Sequence, residues 1–336
     1  MQLQGDSNTI LITGVAGFIG YHMAKRLLDS GHTVVGIDNM NSYYDVSLKE
    51  ARLAILANKD AFQFYEQDLN EKEKLESLFS SAQPQVVIHL AAQAGVRYSL
   101  EQPFQYVTSN VEGFLSILEA CRRHPVKHLL YASSSSVYGD EKKLPFREDM
   151  KVDQPVSLYA ATKKADELMA YTYSHLYGIP ATGLRFFTVY GPWGRPDMAY
   201  YRFAEKIMAG EGIDVYNYGK MRRDFTYVDD ITQAMEKLLE KPPQKVGKAP
   251  HEIYNIGNAH PEELLEFIEI LENKLGKKAQ KNLLPMQSGD VETTYADTGK
   301  LEKAIGYRPT TGLEEGLDCF VNWFKGYYEN WTMKED

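Results

Sequence analysis

The sequence predicts a doubly wound α/β fold, in which helices cover both faces of a parallel sheet and a smaller lobe is added toward the C-terminal end. Two observations indicate this fold. Short segments rich in branched and aromatic residues alternate with longer segments of helical periodicity in the first half of the chain. A glycine-rich turn also joins the first such strand to the first helix. This alternation is typical of βαβ units with right-handed crossovers.

The predicted elements follow in order along the chain. Strands are expected at 9–14, 33–38, 62–67, 84–92 and 127–134, and helices at 18–31, at 110–124 and from about 157. A further strand–helix pattern at 223–240 predicts that the chain returns to the sheet.

The regular alternation ends near residue 188, which predicts two parts. We expect a dinucleotide-binding domain over 1–188 with a return segment over about 224–258. The remaining segments, 189–223 and 259–330, are expected to form an interleaved substrate lobe. The Pro- and Lys-rich stretch 241–250 is predicted to be a surface loop.

Composition limits the possible functions. Of the 336 residues 43% are hydrophobic, and 37 Lys and Arg against 46 Asp and Glu give a net charge of −9, which argues against a nucleic-acid partner. Cys121 and Cys319 lie far apart, so neither a metal site nor a disulfide framework is expected. The N-terminus lacks the pattern of a signal peptide, and no run approaches the about 18 apolar residues of a membrane helix. These features predict a cytoplasmic protein.

The glycine-rich turn predicts a phosphate-binding site. Gly14, Gly17 and Gly20 would allow a tight turn and close approach of a pyrophosphate to the backbone around Phe18 and Ile19, at a helix N-terminus. Asp38 ends the second strand, where a carboxylate binds ribose hydroxyls and repels a 2′-phosphate, so NAD is favoured over NADP. The alternative is a purely structural turn beside a solvated aspartate.

Tyr159 and Lys163 are the candidate catalytic pair. Their i, i+4 spacing places both on one face of the predicted helix, where the ammonium favours the ionised phenol. The same spacing also occurs at Tyr21, Tyr138 and Tyr216, so the spacing alone does not separate catalysis from surface decoration.

The glycine motif, the serines of 131–139 and the Tyr-x-x-x-Lys motif together resemble the extended short-chain dehydrogenase/reductase superfamily over nearly the whole chain. The resemblance implies a Rossmann fold that binds NAD, with Ser134 donating to the reacting hydroxyl. It implies that Tyr159 is the general base and acid and that Lys163 binds the nicotinamide ribose. Further NAD contacts are implied at Asp68, Leu69, Ala91 and Ala92.

Two longer segments, 182–203 and 222–231, resemble the UDP-glucuronate 4-epimerase branch of that superfamily. The resemblance implies oxidation at C4, rotation of a 4-keto sugar and reduction on its other face. Ser135 and Ser136 stand where related 4,6-dehydratases carry Asp-Glu, and Ser136 stands where related decarboxylases carry Glu. The usual acid groups of both rival reactions are therefore replaced by serine.

The resemblance also implies contacts with a UDP-sugar. Ser135, Ser136 and Thr188 are candidates for the sugar carboxylate. The nucleotide candidates are Arg223, Arg195 and Arg97 for phosphates, Tyr216 for uracil and Asp290 for the uridine ribose. Solvated surface roles are the alternative for these residues.

Two other functions stay open at this point. One is a 4-epimerase of a neutral UDP-hexose or UDP-N-acetylhexosamine, and the other is a non-catalytic NAD-binding regulator. The superfamily resemblance further implies a homodimer, in which segments 104–123 and 157–177 of two copies form a helix bundle.

Overall fold

A computed structural model describes residues 8–245, 249–287 and 290–332. The predictions for 1–7 and for 246–248 of the surface loop lie outside these described residues. Within these ranges the strands, in chain order, are β1 (Thr9–Thr13), β2 (Thr33–Asp38), β3 (Phe62–Glu66), β4 (Val86–His89), β5 (His128–Ser134), β6 (Ala181–Phe186), β7 (Thr188–Tyr190), β8 (Gly212–Val215), β9 (Arg222–Tyr227), β10 (His251–Ile256), β11 (Pro261–Glu263) and β12 (Gln280–Leu283).

The helices are α1 (Phe18–Asp29), α2 (Val46–Leu56), α3 (Lys72–Ala82), α4 (Tyr98–Glu101), α5 (Pro103–Tyr106), α6 (Gly113–Arg123), α7 (Leu158–Tyr177), α8 (Ala199–Ala209), α9 (Val228–Leu239), α10 (Leu264–Leu275), α11 (Gly299–Ile305) and α12 (Leu313–Thr332). A π-helical turn, Val107–Glu112, joins α5 directly to α6. Within the described residues, no helix has both the length and the apolar composition needed to cross a bilayer.

The central sheet has seven parallel strands in the order β10-β6-β5-β4-β1-β2-β3, which confirms the predicted doubly wound fold. The chain moves outward in one direction from β1 to β3 and in the other from β4 to β10. The order therefore reverses between β1 and β4, and ligands of such sheets bind at the carboxyl ends of the strands beside this point.

Alternate residues of β1 show how the sheet is covered on both faces. Ile10 and Ile12 pack into a cluster with Met23 and Leu27 of α1, whereas Leu11 packs on the other face with Phe114 of α6. This alternation follows from the two-residue period of a strand. Both faces of β1 are covered, so this strand is an almost continuous apolar run.

The smaller lobe has its own sheets and its own core. Strand β9 lies between β7 and β11, and β12 pairs with β8. Aromatic residues dominate the packing, with Phe225 of β9 stacked on Phe267 of α10 at a centroid distance of 4.5 Å. Tyr201 and Phe320 belong to the same cluster.

The prediction that the strand of 223–240 returns to the main sheet is wrong. Strand β9 lies in the lobe, and β10, at the end of the expected return segment, occupies the edge of the main sheet beside β6. Phe225 belongs to the lobe core, which draws β9 into the three-stranded sheet. The helix that follows does return, because Val228, Ile231 and Met235 of α9 pack into the cluster that also contains α1. The chain thus crosses between the two parts at Tyr227–Val228.

Candidate active site

A cavity of about 780 Å³ opens at the carboxyl ends of the central strands, between the main sheet and the lobe. It brings together most of the residues that the sequence analysis singled out. Those lining it are Gly14, Gly17, Phe18, Ile19, Gly20, Asp38, Asp68, Leu69, Ala91, Ala92, Arg97, Ser134, Ser135, Ser136, Tyr159, Lys163, Thr188, Arg195, Tyr216 and Asp290. Its volume lies within the range of small-molecule sites, roughly 300–1,000 Å³.

The glycine turn at one end of this cavity has no room for side chains. Gly14 has a φ of +72°, and a Cβ there would lie 2.7 Å from the backbone nitrogen of Ala91. A Cβ on Gly20 would lie 2.0 Å from the carbonyl oxygen of Gly14. Gly17 caps α1 without any side-chain hydrogen bond, so the first N–H groups of that helix are left for a ligand. The turn therefore fits a pyrophosphate.

Asp38 stands beside the turn as a buried carboxylate held by the backbone. Its oxygens accept hydrogen bonds from the backbone nitrogens of Ala16 (3.2 Å) and Met40 (3.0 Å). The Lys49 ammonium lies 3.6 Å away and is itself buried, and both side chains line the cavity. The sequence analysis missed Lys49, which offsets part of the Asp38 charge next to the expected ribose position.

Tyr159 and Lys163 both lie in the first two turns of α7. The helix begins where it does because the Ser157 hydroxyl accepts a hydrogen bond from the Ala160 nitrogen at 3.1 Å. Lys163 is buried, and its Nζ donates to the carbonyl oxygen of Ala132 (3.1 Å) and to Oδ2 of Asp166 (3.0 Å). Asp166 was not expected from the sequence, although its i+3 spacing from Lys163 on the same helix was a usable signal.

The serine run turns from strand β5 into the cavity. Ser134 Oγ accepts from the Ser136 nitrogen and donates to Ser136 Oγ, both at 3.1 Å, and so caps the short 3₁₀ turn Ser135–Tyr138. Thr188 opens β7 directly beyond β6, the strand that pairs with β5. Hydroxyls from two adjoining chain segments therefore share one wall of the cavity.

Asn110 supports this wall from the π-helical turn. Its amide donates to Thr162 Oγ1 (3.0 Å) and to the carbonyl oxygen of Gln93 (3.0 Å), and its oxygen accepts from the Gln93 nitrogen at 2.7 Å. These bonds tie the loop after β4 to helix α7. Sequence periodicity carried no signal for Asn110, because its hydrogen-bond partners lie 17 and 52 residues away along the chain.

Arg195 is paired before any ligand arrives. Its Nε lies 2.9 Å from Oδ1 of Asp197, and the Tyr43 hydroxyl donates to the other carboxylate oxygen at 3.2 Å. Burial alone would raise the pKa of Asp197, but the guanidinium outweighs it and the pKa is lowered. Arg195 therefore keeps its charge and presents only part of its guanidinium to a phosphate.

At the outer end of the cavity, Arg97 connects the main sheet to the lobe. Its guanidinium lies 3.3 Å from Asp290 and 5.0 Å from the ring centre of Tyr216. Two basic residues that the sequence analysis missed, Arg202 and Lys206 of α8, also line the cavity, as do the acidic Glu101 and Asp214. The cavity therefore offers cationic side chains to a diphosphate despite the acidic chain.

Arg223 is the predicted site residue that the structure does not bring to the cavity lining. Its Nη1 donates to the carbonyl oxygens of Arg222 and Glu292, each at 3.0 Å. The β9 backbone runs into the three-stranded sheet, which directs this side chain toward the 292 segment. A phosphate contact from Arg223 stays a prediction.

Known proteins resemble this chain over almost its entire length. Residues 10–257 match the NAD dependent epimerase/dehydratase family. A probable UDP-glucuronate 4-epimerase of Rhizobium meliloti is 48% identical, with 95% of this chain and 97% of the relative covered. UDP-glucuronate 4-epimerase 4 of Arabidopsis thaliana is also 48% identical, over 95% of this chain and 76% of its own length. The crystal structure of the Bacillus cereus UDP-glucuronic acid 4-epimerase with UDP-glucuronic acid and NAD is similar with a TM-score of 0.88, 36% identity, and coverage of 95% and 100%.

Proposed function

The chain belongs to the NAD dependent epimerase/dehydratase family, and on that premise we propose that it interconverts UDP-glucuronate and UDP-galacturonate. The observation that carries the proposal is the shared cavity wall. There the Ser134, Tyr159 and Lys163 side chains stand beside a serine and threonine cluster, and the glycine turn opens into the same cavity.

The glycine turn and Asp38 would hold NAD, because the turn admits a pyrophosphate and the carboxylate suits ribose hydroxyls. When bound, NAD would supply the acceptor for the hydride of C4 and the same hydride for its return to the opposite face of the sugar. Tyr159 removes the proton of the C4 hydroxyl and gives it back after the 4-keto sugar has turned over. The Ser134 hydroxyl would turn from Ser136 to donate to the same oxygen, and Lys163 would bind the nicotinamide ribose and place its positive charge near the Tyr159 phenol.

The substrate needs protection from decarboxylation. Its C6 carboxylate is β to the transient ketone, so carbon dioxide leaves when the breaking C–C bond aligns with the carbonyl π system. We assign Ser135, Ser136 and Thr188 to holding the carboxylate out of that alignment, since fixed orientation controls which bond can react. No carboxylate at 135 or 136 supplies the acid of the dehydration or decarboxylation reactions.

The nucleotide half of the substrate would lie toward Arg97, with Tyr216 against uracil, Asp290 at the uridine ribose and Arg195 near the sugar phosphate. We propose that most dinucleotide contacts come from 1–188 and that α9 and β10, within the expected return over about 224–258, complete that domain. The expected lobe, 189–223 with 259–330, would bind the UDP-sugar together with Arg97, Ser135, Ser136 and Thr188.

We further propose that the protein is a cytoplasmic homodimer that supplies acidic sugars for polysaccharide synthesis. The support for a dimer is apolar surface on the outer helices. Phe104 before the π turn is 84% exposed, and Leu168 and Leu176 of α7 are 57% and 61% exposed. Pairing these helices with those of a second copy would bury this surface.

The experiment is incubation of the purified protein with UDP-glucuronate, and in parallel with UDP-glucose and UDP-N-acetylglucosamine, followed by NMR of the products. We expect UDP-galacturonate from the first and much slower turnover of the neutral sugars. Equal or faster turnover of a neutral sugar would contradict the assigned substrate.

Tyr159→Phe tests the mechanism in the same assay. The rate should fall by roughly 10²–10⁴-fold, because the general base is lost while packing is retained. Tyr173→Phe is the matched control, since it removes a phenol from the same helix that donates to Glu119 and not to the cavity. Near-normal turnover by Tyr159→Phe would refute the assignment of the base.

A further inference from the structure

Asp166 is a buried carboxylate with no role in the mechanism described so far. Its side chain is 1% exposed, and Oδ2 lies 3.0 Å from Nζ of Lys163, which is 2% exposed. The other oxygen, Oδ1, is buried and has no hydrogen-bond partner in the described part of the chain. An oxygen left in this way is costly, so the carboxylate calls for an explanation.

The contacts of Lys163 show what Asp166 does to it. An ammonium group has three N–H donors. One is taken by the carbonyl oxygen of Ala132 and one by Asp166, so a single donor remains for the cavity that Lys163 lines. Asp166 does not line the cavity and can act on a ligand only through the lysine.

Among the titratable groups around Asp166, Lys163 is the cation that contacts it directly. On α7 itself the neighbour is Glu167, whose carboxylate is bonded to Arg185 of β6 at 2.7 Å. From β5 the Tyr131 phenol faces the aspartate, and from β4 His89 faces the lysine. Burial lowers the pKa of His89 to about 3, so that ring is neutral. The Lys163–Asp166 pair is almost fully buried, so solvent screens each of its charges only weakly.

We propose that Asp166 is a positioning residue for the epimerisation: it directs the remaining donor of Lys163 into the cavity and offsets part of the lysine's charge at Tyr159. This inference rests on the proposed function, because it assumes that Lys163 acts on a cofactor ribose and on the Tyr159 phenol.

A specific pH signature follows. Asp166→Asn keeps an acceptor oxygen for Lys163 but removes the negative charge, so the whole lysine charge acts on the phenol and the ionised form is favoured. The acid limb of the rate profile should move to lower pH by up to about one unit, because the carboxylate no longer offsets the lysine charge. Burial raises the pKa of Asp166 to about 6, opposed by Lys163 and reinforced by Glu167. Below that pH the wild-type carboxyl is also neutral, so the two profiles should converge there.

The rate of Asp166→Asn divided by that of the wild type should therefore be near one below about pH 6. The ratio should rise by up to about tenfold across the acid limb and return to near one on the alkaline plateau. Asp230→Asn is the matched control. Asp230 is also a buried helical aspartate, but it accepts from Tyr307 and Thr311 and does not line the cavity. Its profile should coincide with that of the wild type. A purely structural role for Asp166 would lower the rate equally at every pH.

Cofactor binding gives a second readout that does not depend on turnover. NAD affinity, measured by quenching of tryptophan fluorescence, should be retained in Asp166→Asn and should fall about tenfold in Asp166→Leu, which lacks any acceptor. Asp166→Ser, smaller and neutral, replaces Asp166→Asn if the latter does not fold, and should show the same shifted acid limb.

An acid limb that stays in place or moves to higher pH, or a Leu variant that binds NAD like the wild type, would overturn the inference. If the wild type proves inactive on all three UDP-sugars, the proposed function fails on its own account, while the NAD measurement still tests whether Asp166 positions Lys163.

Discussion

Replacing Glu167 by Gln would remove one charge from the buried Glu167–Arg185 ion pair, which is hydrogen-bonded to Ser133 of β5. The Glu167 carboxylate accepts from Nε of Arg185 at 2.7 Å and from Nη2 at 2.9 Å, and the Ser133 hydroxyl donates to it at 2.8 Å. Both charged side chains are 2% exposed. Glutamine fills the same space but leaves the guanidinium without a counter-charge in a dry interior.

The geometry sets the size of the effect. Losing one partner of a buried pair costs about 3–5 kcal/mol, and two charge-assisted hydrogen bonds at roughly 1.5–3 kcal/mol each give a similar figure. At roughly 2 °C per kcal/mol for a long chain, Glu167→Gln should lower the melting temperature by about 6–10 °C. Ser133 precedes Ser134 on β5, so turnover should also fall.

The pH dependence has a definite sign. Burial alone would raise the pKa of Glu167, but the hydrogen bonds from Arg185 outweigh it and hold the pKa below its ordinary value. A lowered pKa means that the carboxylate stabilises the fold above its unfolded-state pKa, and that this contribution is lost as the pH falls through the folded-state value. The difference between wild type and Glu167→Gln should therefore be full at neutral pH and shrink only in acid.

Thermal unfolding followed by circular dichroism measures these differences. Glu71→Gln serves as the control, because Glu71 pairs with Lys74 at the surface, where solvent screens the pair and its loss should leave the melting temperature nearly unchanged. A double variant, Glu167→Leu with Arg185→Met, should recover much of the loss, since neither position then carries a charge that lacks its partner. The reasoning would be refuted if Glu167→Gln melted at the wild-type temperature, or if the double variant were less stable than the single one.

Three further changes test other parts of the site. Gly20→Ala places a methyl group 2.0 Å from the Gly14 carbonyl oxygen and should weaken NAD binding by at least about tenfold by fluorescence titration, whereas Gly312→Ala, with open space around it, should not. Leu176→Glu puts a charge on the exposed apolar side of α7 and should convert the proposed dimer to a monomer in light scattering; an unchanged mass would exclude this helix from the interface. Thr188→Val keeps the side-chain volume but removes a hydroxyl, so NMR should show epimerisation slowed by about ten- to a hundredfold and a leak to a decarboxylated 4-keto pentose. Slowing without decarboxylation would limit Thr188 to substrate binding.

The parts of the molecule that the sequence predicted correctly are those encoded locally. The first strand, the glycine turn and the first helix are adjacent in the chain, and the end of β2 at Asp38 follows from a short apolar run. Tyr159 and Lys163 meet on one helix because their spacing matches its period. In each case the physical constraint spans only a few residues.

What the sequence did not predict depends on contacts between distant segments. Lys49 reaches Asp38 only after the loop following β2 has folded back, and Asn110 bonds Thr162 across a separation of 52 residues. The wrong prediction for β9 has the same origin. Either β9 or β10 could have paired with the free edge of β6, and β10 does so because Phe225 of β9 packs in the lobe core. Tertiary packing selects among strand partners that the local pattern leaves equivalent.

Helix α7 carries charged residues on its buried face and apolar residues on its exposed face. Its buried face carries Lys163, Asp166 and Glu167, whereas Leu168 and Leu176 are exposed. A helix that packs only on a core would place its apolar residues inward. Polar groups are retained in the interior here because they form a continuous set of bonds from Arg185 through Glu167 and Ser133 to the strand that ends at Ser134, with the Lys163–Asp166 pair one turn away. The exposed apolar residues are those that the proposed dimer would bury. One helix therefore carries the proposed catalytic pair and also the apolar surface that Leu176→Glu tests.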